Sequence, residues 1–211
     1  MKTKAREFCL MMLAMSTAAV AHNAVTWDVD RAIIAGSGCM KDVSAFAIQN
    51  GDELSILFTS LGVDLPAGSH LPNAQRKSCA IRVPTQIEGG LYVSELIQEI
   101  SYGVTKSSRS RGALATVSSF FGMNVGVHQI NLPYGTALNE PLIQSRREDH
   151  FLVDSTWHDG FCRQQRPLNG LYSANMAVSG QRSSDREDLI MFIDGLDLKY
   201  DVMASISPCF M

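Results

Sequence analysis

The chain has 211 residues, of which 45% are hydrophobic, and a formal net charge of −3 at pH 7. This length is sufficient for one domain with its own hydrophobic core. A mildly acidic chain is a poor partner for nucleic acids and for anionic membrane surfaces, because both attract clustered basic residues. The composition therefore argues against both of these classes of partner.

The first 21 residues have the pattern of a signal peptide. Three basic residues lie within the first six positions, residues 8–18 are apolar or small, and Ala19-Val20-Ala21 matches a cleavage site. The apolar stretch is shorter than the roughly 20 residues that a membrane-spanning helix needs. We expect residues 22–211 to form a single exported domain, which is either secreted or held in the periplasm or cell envelope. Cleavage would leave 15 of the 18 basic and 20 of the 21 acidic residues, a net charge of −5.

Four cysteines follow the leader, at Cys39, Cys79, Cys162 and Cys209. An even number of cysteines in an exported chain predicts disulfide bonds. Three pairings are possible, and we favour Cys39–Cys79 with Cys162–Cys209 because each pair closes a self-contained set of segments. A zinc site or a thiolate nucleophile would need free thiolates and short spacings such as Cys-x-x-Cys, which the chain lacks. We therefore expect two bridges, no metal site and no cofactor.

Short alternating segments separated by turn residues predict β-strands throughout the mature chain. We expect an edge strand within residues 24–35, followed by a hairpin over residues 42–58. Asn50-Gly51 suits a two-residue type I′ turn between the two strands of that hairpin. Residues 60–78 contain several glycines and prolines and predict a loop.

A second hairpin is expected after this loop. Ile81 and Val83 lie on its first strand, Glu88-Gly89-Gly90 forms its turn, and residues 91–100 form its second strand. The basic segment 106–111 offers a possible anion site. A solvated hairpin end is the better interpretation, since no aromatic residues are interleaved with its charges.

The C-terminal half continues the alternating pattern. The expected elements are strands over residues 112–121 and 123–132, a connection over 133–149, strands over 151–157 and 172–178, a polar loop over 180–188, and a hairpin of 189–193 and 196–206 around Asp194-Gly195. In the last strand, Asp197, Lys199, Asp201 and Ser205 are expected to share the polar face. No segment holds a helical period, so we predict an all-β fold. The expected architecture is an antiparallel, jelly-roll-like β-sandwich with two disulfides.

The cysteine motifs also resemble those of a known family. The matching features are Gly36-x-Gly38-Cys39, the alternating hairpin of residues 43–58, Arg76-Lys77-Ser78-Cys79 followed by Ile81, Val83 and Pro84, then Tyr102-Gly103, and finally Trp157 before Cys162. This pattern is similar to that of domain-of-unknown-function family 4360, whose members are secreted, β-rich, four-cysteine proteins. The resemblance covers about residues 36–210. The chain departs from the family pattern at Met40, where the family has proline, and at Ser78, where it has asparagine. The resemblance implies export, disulfides and a β fold, and it provides no catalytic residues.

Candidate ligand-binding residues lie around the third cysteine. Trp157, His158 and Asp159 precede Cys162, and Tyr134 lies in the connection before them. Trp157, Tyr134, Trp27 and Tyr92 could form a platform for sugar rings, although core packing is the commoner role of a tryptophan beside a disulfide. His158 with nearby carboxylates could provide acid–base chemistry or bind a metal, but two adjacent residues do not make a site, and a solvated loop is the alternative.

The absence of a catalytic motif leads to our main hypothesis. We expect a non-enzymatic, exported binding or structural module whose ligand is a glycan or another surface protein. One alternative is a secreted hydrolase that uses carboxylates or His158 in a cleft. Another is a secreted inhibitor or effector that docks through a loop at residues 60–78 or 133–149.

Overall fold

The computed structural model describes residues 23–106, 112–121, 124–133, 138–152, 162, 167–193 and 200–209. Its named elements are fourteen β-strands. In chain order they are β1 Val25–Trp27, β2 Ile33–Gly36, β3 Cys39–Met40, β4 Ala45–Asn50, β5 Glu53–Phe58, β6 Gly62–Leu65, β7 Ala74–Ile87, β8 Leu91–Lys106, β9 Gly112–Phe121, β10 Asn124–Pro133, β11 Leu138–Leu152, β12 Leu168–Gln181, β13 Leu189–Ile193 and β14 Tyr200–Pro208.

The strands form two antiparallel sheets of seven strands each. Sheet A has the order β10-β9-β12-β7-β2-β3, and β1 also pairs with β7. Sheet B has the order β4-β5-β14-β8-β13-β6, and β11 also pairs with β8. The fold is therefore the predicted all-β, antiparallel sandwich.

The hydrophobic core lies between the two sheets. Alternating residues of each strand point inward, as period-2 patterning requires. The buried set includes Ile81, Val83, Ile87, Tyr172, Ala174, Met176 and Val178 from sheet A, and Leu54, Ile56, Leu96, Ile100 and Val202 from sheet B. The expected inward face of residues 172–178 is thereby confirmed.

One polar contact crosses this core. Gln98 of β8 donates a hydrogen bond from Nε2 to Ser119 Oγ of β9 at 2.5 Å, and also contacts the Tyr172 hydroxyl of β12 at 3.4 Å. Gln98 and Ser119 are both buried. A buried amide must be paired with a hydrogen-bonding partner. This contact therefore favours the arrangement of the two sheets in which β8 lies opposite β9.

Both favoured disulfides are present. Cys39 of β3 is bonded to Cys79 of β7, with Cα atoms 5.5 Å apart, inside sheet A. Cys162 is bonded to Cys209 at the end of β14, with Cα atoms 5.3 Å apart. The first bridge joins an edge strand of two residues to a strand of fourteen residues.

Close packing of backbones explains the glycines before Cys39. A side chain at Gly36 would lie 2.9 Å from the Cys79 Cα and still closer to the Ser78 carbonyl oxygen. The Gly38 amide donates a hydrogen bond of 2.9 Å to that same oxygen. The Gly-x-Gly-Cys sequence thus lets the chain lie directly against the backbone around the second cysteine.

We expect the substitution Gly36→Ala to lower the free energy of unfolding by about 3 kcal/mol, the upper end of the usual cost of overpacking, since the atoms in the way belong to the backbone. Denaturant unfolding of the oxidised protein measures this loss. Gly51→Ala is the control, because Gly51 has φ +62° and open space around its Cα. The control should lose only about 1–2 kcal/mol from its left-handed conformation. An unfolding midpoint for Gly36→Ala equal to that of the wild type would contradict the packing argument.

The structure corrects the expected turn of the first hairpin. Asn50 pairs with Glu53, so the two turn residues are Gly51 and Asp52 rather than Asn50 and Gly51. Only the first of them has positive φ, which is the pattern of a type II′ turn. The strand pairing over residues 45–58 is otherwise as predicted. The first edge segment divides into β1 and β2, which pair with different parts of β7.

Two segments that were predicted to be loops contain strands. Residues 60–78 contain β6 and the start of β7, which leaves residues 66–73 as the connection. Residues 133–149 contain most of β11. In both cases the pairing with a neighbouring strand outweighs the local turn residues, because strand propensity depends strongly on its context.

Two predicted hairpins are wrong. β7 belongs to sheet A and β8 to sheet B, so residues 88–90 connect the two sheets. β13 and β14 both run antiparallel to β8, at Tyr102–Lys106 and Leu91–Ile100, so they are not partners of each other.

Asp201 of β14, expected on the polar face of its strand, is 1% exposed and accepts a hydrogen bond of 2.7 Å from the Ser55 hydroxyl. The two strands expected over residues 112–121 and 123–132 are present as β9 and β10, and they pair antiparallel to each other.

Candidate functional site

The candidate residues Trp157, His158, Asp159 and Tyr134 lie outside the residues that the structure describes. The same holds for the expected leader and for residues 107–111 of the basic segment.

Trp27 was proposed as part of a sugar platform, and the structure places it in the core instead. Its side chain is 2% exposed and packs edge-on against Tyr172, with ring centroids 5.9 Å apart. Its indole Nε1 donates a hydrogen bond of 2.9 Å to the Asp52 carbonyl oxygen. A buried ring with a satisfied N–H is a packing residue, so the platform that included Trp27 is wrong.

The outward face of sheet A carries a long polar strip, which we call the outer lane. It is formed by the outward residues of β7 and β12, which face each other across the sheet in register. The six pairs are Arg76–Ser179, Ser78–Ala177, Ala80–Asn175, Arg82–Ser173, Pro84–Leu171 and Gln86–Asn169. These twelve residues include no carboxylate and no aromatic ring. Ten residue steps of strand give the lane a length of about 33 Å.

A shallow depression of about 340 Å³ lies towards one end of the outer lane, and we call it the trough. Its lining includes the small residues Ala80 and Ala177 and the polar residues Arg76, Thr116 and Asn175. The polar side chains of Arg76, Thr116 and Asn175 make no hydrogen bond to other described residues. Their donors and acceptors are therefore available to a ligand.

Sequence reasoning missed the outer lane. Its signal was present in residues 169–179, whose outward positions Asn169, Leu171, Ser173, Asn175, Ala177 and Ser179 alternate with apolar ones. The other half of the outer lane comes from residues 76–86 of β7. Residues 76–78 of that segment were predicted to belong to a loop. The sequence gives no indication that β7 and β12, about 95 residues apart, are neighbours.

A larger cleft, of about 600 Å³, lies at the opposite end of the outer lane, and we call it the β1 cleft. Its walls are residues 26–31, Gln49, residues 84–86, Asn169 and Gly170. It includes the last pair of the lane, Gln86 and Asn169. The lane therefore connects the trough with the β1 cleft.

The tip of the β4–β5 hairpin fixes one wall of the β1 cleft. Gln49 accepts a hydrogen bond of 3.0 Å from the Trp27 amide and donates to the Val25 carbonyl at 3.1 Å. Asp52 Oδ1 accepts a hydrogen bond of 2.9 Å from the Val25 amide. These side chains act as a strand partner for β1, so sheet B holds the edge of sheet A in place.

The Asp28 carboxyl group in the β1 cleft does not suit acid catalysis. The pKa of Asp28 is lowered, first by the hydrogen bond from the Arg31 backbone amide and then by the hydrogen bond from the Arg31 side chain. A carboxyl group with a lowered pKa stays ionised near neutral pH and is a poor proton donor. Among the residues with assigned positions, no three His, Cys, Asp or Glu side chains are grouped as metal ligands. Within the same residues, no helix is long and apolar enough to cross a bilayer.

No protein-family model and no curated protein matches the chain. Three solved structures resemble it in part. A carbohydrate-binding module, TmCBM61, in complex with β-1,4-galactotriose has a TM-score of 0.31 at 9% identity, over 84% of this chain and 91% of that one. The infectious bursal disease virus Gx strain has a TM-score of 0.25 at 8% identity, over 84% and 32%. The N-terminal cellulose-binding domain of Cellulomonas fimi β-1,4-glucanase C has a TM-score of 0.23 at 12% identity, over 90% and 97%. Scores this low carry no functional conclusion.

Proposed function

We propose that this chain is an exported, non-enzymatic binding module whose ligand is a glycan held along the outer lane. The observation that supports this most directly is the lane itself, a strip of outward hydroxyl, amide and guanidinium groups about 33 Å long without a carboxylate. Export to an oxidising compartment is part of the proposal, and the two disulfides support it. Membership of family 4360 remains part of the same proposal.

The chemistry of the lane suits hydroxyl groups. Each sugar hydroxyl both donates and accepts a hydrogen bond. The carboxamide of Asn175 in the lane does the same, and so do the hydroxyls of Thr116 and Ser118, which line the trough from the neighbouring strand β9. The small side chains of Ala80 and Ala177 leave room for a ring to approach the sheet closely. An extended chain of sugars lying along the two strands would contact the lane over its whole length.

The lane favours a glycan over a protein partner. The centres of protein–protein interfaces are enriched in aromatic and large apolar residues, whereas the outer lane has one exposed leucine, Leu171, and no aromatic ring. Without a ring for stacking, affinity must come from hydrogen bonds of about 0.5–1.5 kcal/mol each. A handful of them gives a dissociation constant on the order of 1 mM to 0.1 mM.

Neither alternative function gains support from the described residues. The hydrolase needs an acid with a raised pKa, and the carboxyl group of Asp28 shifts the other way. The inhibitor would dock through a loop at residues 60–78 or 133–149. Strands β6 and β7 occupy part of the first segment and leave residues 66–73 as its connection, and β11 occupies most of the second segment.

A side chain that fills the trough tests the proposal. Ala80 is exposed and lines the trough, so Ala80→Trp adds bulk there without disturbing the core. We expect this variant to bind polysaccharide at least tenfold more weakly than the wild type. The measurement is affinity electrophoresis of the oxidised protein against β-glucan, galactan, mannan, xylan and polygalacturonate.

Ile48→Trp is the matched control, because Ile48 is 47% exposed on β4 of the other sheet. It should bind like the wild type. The proposal is overturned if the wild type binds none of the five polysaccharides, or if Ala80→Trp binds as well as Ile48→Trp.

A further inference from the structure

We propose that the glycan bound along the outer lane is acidic, and that its carboxylate or sulfate groups pair with the guanidinium groups of Arg76 and Arg82. This rests on the proposed function and adds to it the charge class of the ligand. These two arginines are the charged residues among the twelve that form the lane.

The charges of the two sheets differ in sign. The seven described strands of sheet A contain three basic residues, Arg76, Lys77 and Arg82, and no aspartate or glutamate. The seven described strands of sheet B contain eight acidic and three basic residues. A chain with a net negative charge therefore has one sheet whose strands carry positive charge alone.

The acidic residues of sheet B do not cancel the positive charge of the lane. The two sheets of a sandwich pack about 10 Å apart, and the outward side chains of sheet B lie still farther from the outer lane. The Debye length is about 8 Å at physiological ionic strength, so exposed charges on opposite faces are largely screened from each other. An anion that approaches the lane is attracted by Arg76 and Arg82.

Both guanidinium groups of the lane are available to an anion. Arg76 and Arg82 are exposed, and neither forms an ion pair or a hydrogen bond with another described residue. Lys77 lies on the other side of β7, where it pairs with Val178 and donates a hydrogen bond of 3.1 Å to the Ser60 carbonyl oxygen. A guanidinium presents a fork of N–H donors that matches an oxyanion such as a carboxylate.

The spacing of the two arginines suits an extended ligand with repeated acidic groups. They lie six residues apart on the same side of β7, which is about 20 Å. Ser173 lies opposite Arg82 and Ser179 lies opposite Arg76, so each guanidinium has a hydroxyl beside it on β12. A polysaccharide with an acidic group on each unit can contact both arginines at once. A neutral glycan would desolvate them without a compensating charge.

The positive charge is confined to the section of the lane between Arg82 and the trough. In the β1 cleft, Asp28 and Arg31 form an ion pair. The Lys41 ammonium group donates a hydrogen bond of 2.6 Å to the carbonyl oxygen of Asp30, so it lies close to that acidic residue. The cleft therefore has no excess of positive charge, and we expect the acidic units of the glycan to lie over residues 76–82.

Paired polysaccharides test the charge class on the oxidised protein. Polygalacturonate is compared with its fully methyl-esterified form, which has the same backbone without the charge, and dextran sulfate is compared with dextran. Isothermal titration calorimetry measures the dissociation constants, and the two pairs distinguish carboxylate from sulfate. At least one acidic polymer should bind at least tenfold more tightly than its neutral counterpart. Raising the salt from about 0.1 M to about 1 M shortens the Debye length from about 10 Å to about 3 Å and should remove most of this preference.

Arginine variants test the assigned residues. Arg76→Gln and Arg82→Gln should each weaken binding of the acidic polymer about threefold to tenfold, and the double variant should weaken it at least tenfold. Both side chains are exposed, so the melting temperature should stay unchanged. Arg186→Gln is the matched control, because it removes the same charge from an exposed arginine outside the lane and should bind like the wild type.

Three outcomes would overturn the inference. The first is that each neutral polymer binds as tightly as its acidic counterpart, and the second is that the double variant binds like Arg186→Gln. The third is that single-stranded DNA binds as tightly as the acidic polymers, which is not expected because the lane has no aromatic ring on which bases could stack. Polysaccharide binding that remains sensitive to Ala80→Trp would in these cases leave the proposed function standing, whereas a wild type that binds no polysaccharide would contradict both.

Discussion

Arg182→Met is expected to lower the free energy of unfolding by about 3–5 kcal/mol, because a buried charged hydrogen-bonding centre disappears and its acceptors lose their donors. Arg182 follows β12 and is 1% exposed. Its guanidinium donates to the carbonyl oxygens of Pro66, Ser69 and Leu71 at 2.7, 3.0 and 2.9 Å, and to Asn73 Oδ1 at 3.2 Å. One side chain therefore organises the whole connection between β6 and β7.

Matched variants separate the geometry of Arg182 from its charge. Arg182→Lys keeps the charge but cannot reach four acceptors from one nitrogen, so most of the loss should remain. Arg186→Met removes an exposed arginine four residues further on and should change stability by less than about 0.5 kcal/mol. Urea unfolding of the oxidised proteins, followed by tryptophan fluorescence, gives all three values. Equal midpoints for Arg182→Met and Arg186→Met would show that residues 66–73 do not depend on Arg182.

The same connection shows how sequence reasoning falls short. Gly68 and Pro66 correctly predict that the chain turns there, and the Gly68 amide donates to the Asp185 carbonyl oxygen at 2.6 Å. The sequence gives no sign that an arginine more than a hundred residues later fills the turn. A charged residue in a Ser-rich segment is usually solvated, so burial of Arg182 depends on tertiary structure alone.

Strands were predictable where one face is apolar, and their partners were not. The alternation of β5 and β12 identifies both strands and their inward faces, because period-2 burial is a local signal. The Gly89-Gly90 turn correctly marks a chain reversal. Whether the chain returns to the same sheet or crosses to the other is decided by packing of both strands against the core, which no local pattern records.

The candidate site was predictable to the same extent: the residues of a single strand follow from the sequence, and the residues on its partner strand do not. The outward residues of β12 can be read from the sequence once the strand is known. The outer lane, however, exists only because β7 lies beside β12 with Ala80 opposite Asn175.

Replacing both Cys39 and Cys79 with alanine is expected to lower the free energy of unfolding by about 4 kcal/mol. The bridge closes a loop over a sequence separation of 40 residues, and the chain-entropy model assigns roughly that value to its effect on the unfolded state. The native state loses an attachment as well. β3 has two residues and is held in sheet A by two register pairs with β2, so its link to β7 depends largely on the bridge.

The same double variant should also weaken polysaccharide binding, because Cys79 and Ala35 line the trough beside Ser78. The Cys162→Ala and Cys209→Ala pair is the control, since that bridge ends on β14 of sheet B and should affect stability without affecting the trough. Urea unfolding and affinity electrophoresis of both double variants measure the two effects separately. A stability loss below about 1 kcal/mol for the first pair would mean that the glycine-mediated packing of Gly36 and Gly38 on β7 holds the edge of sheet A without the bridge.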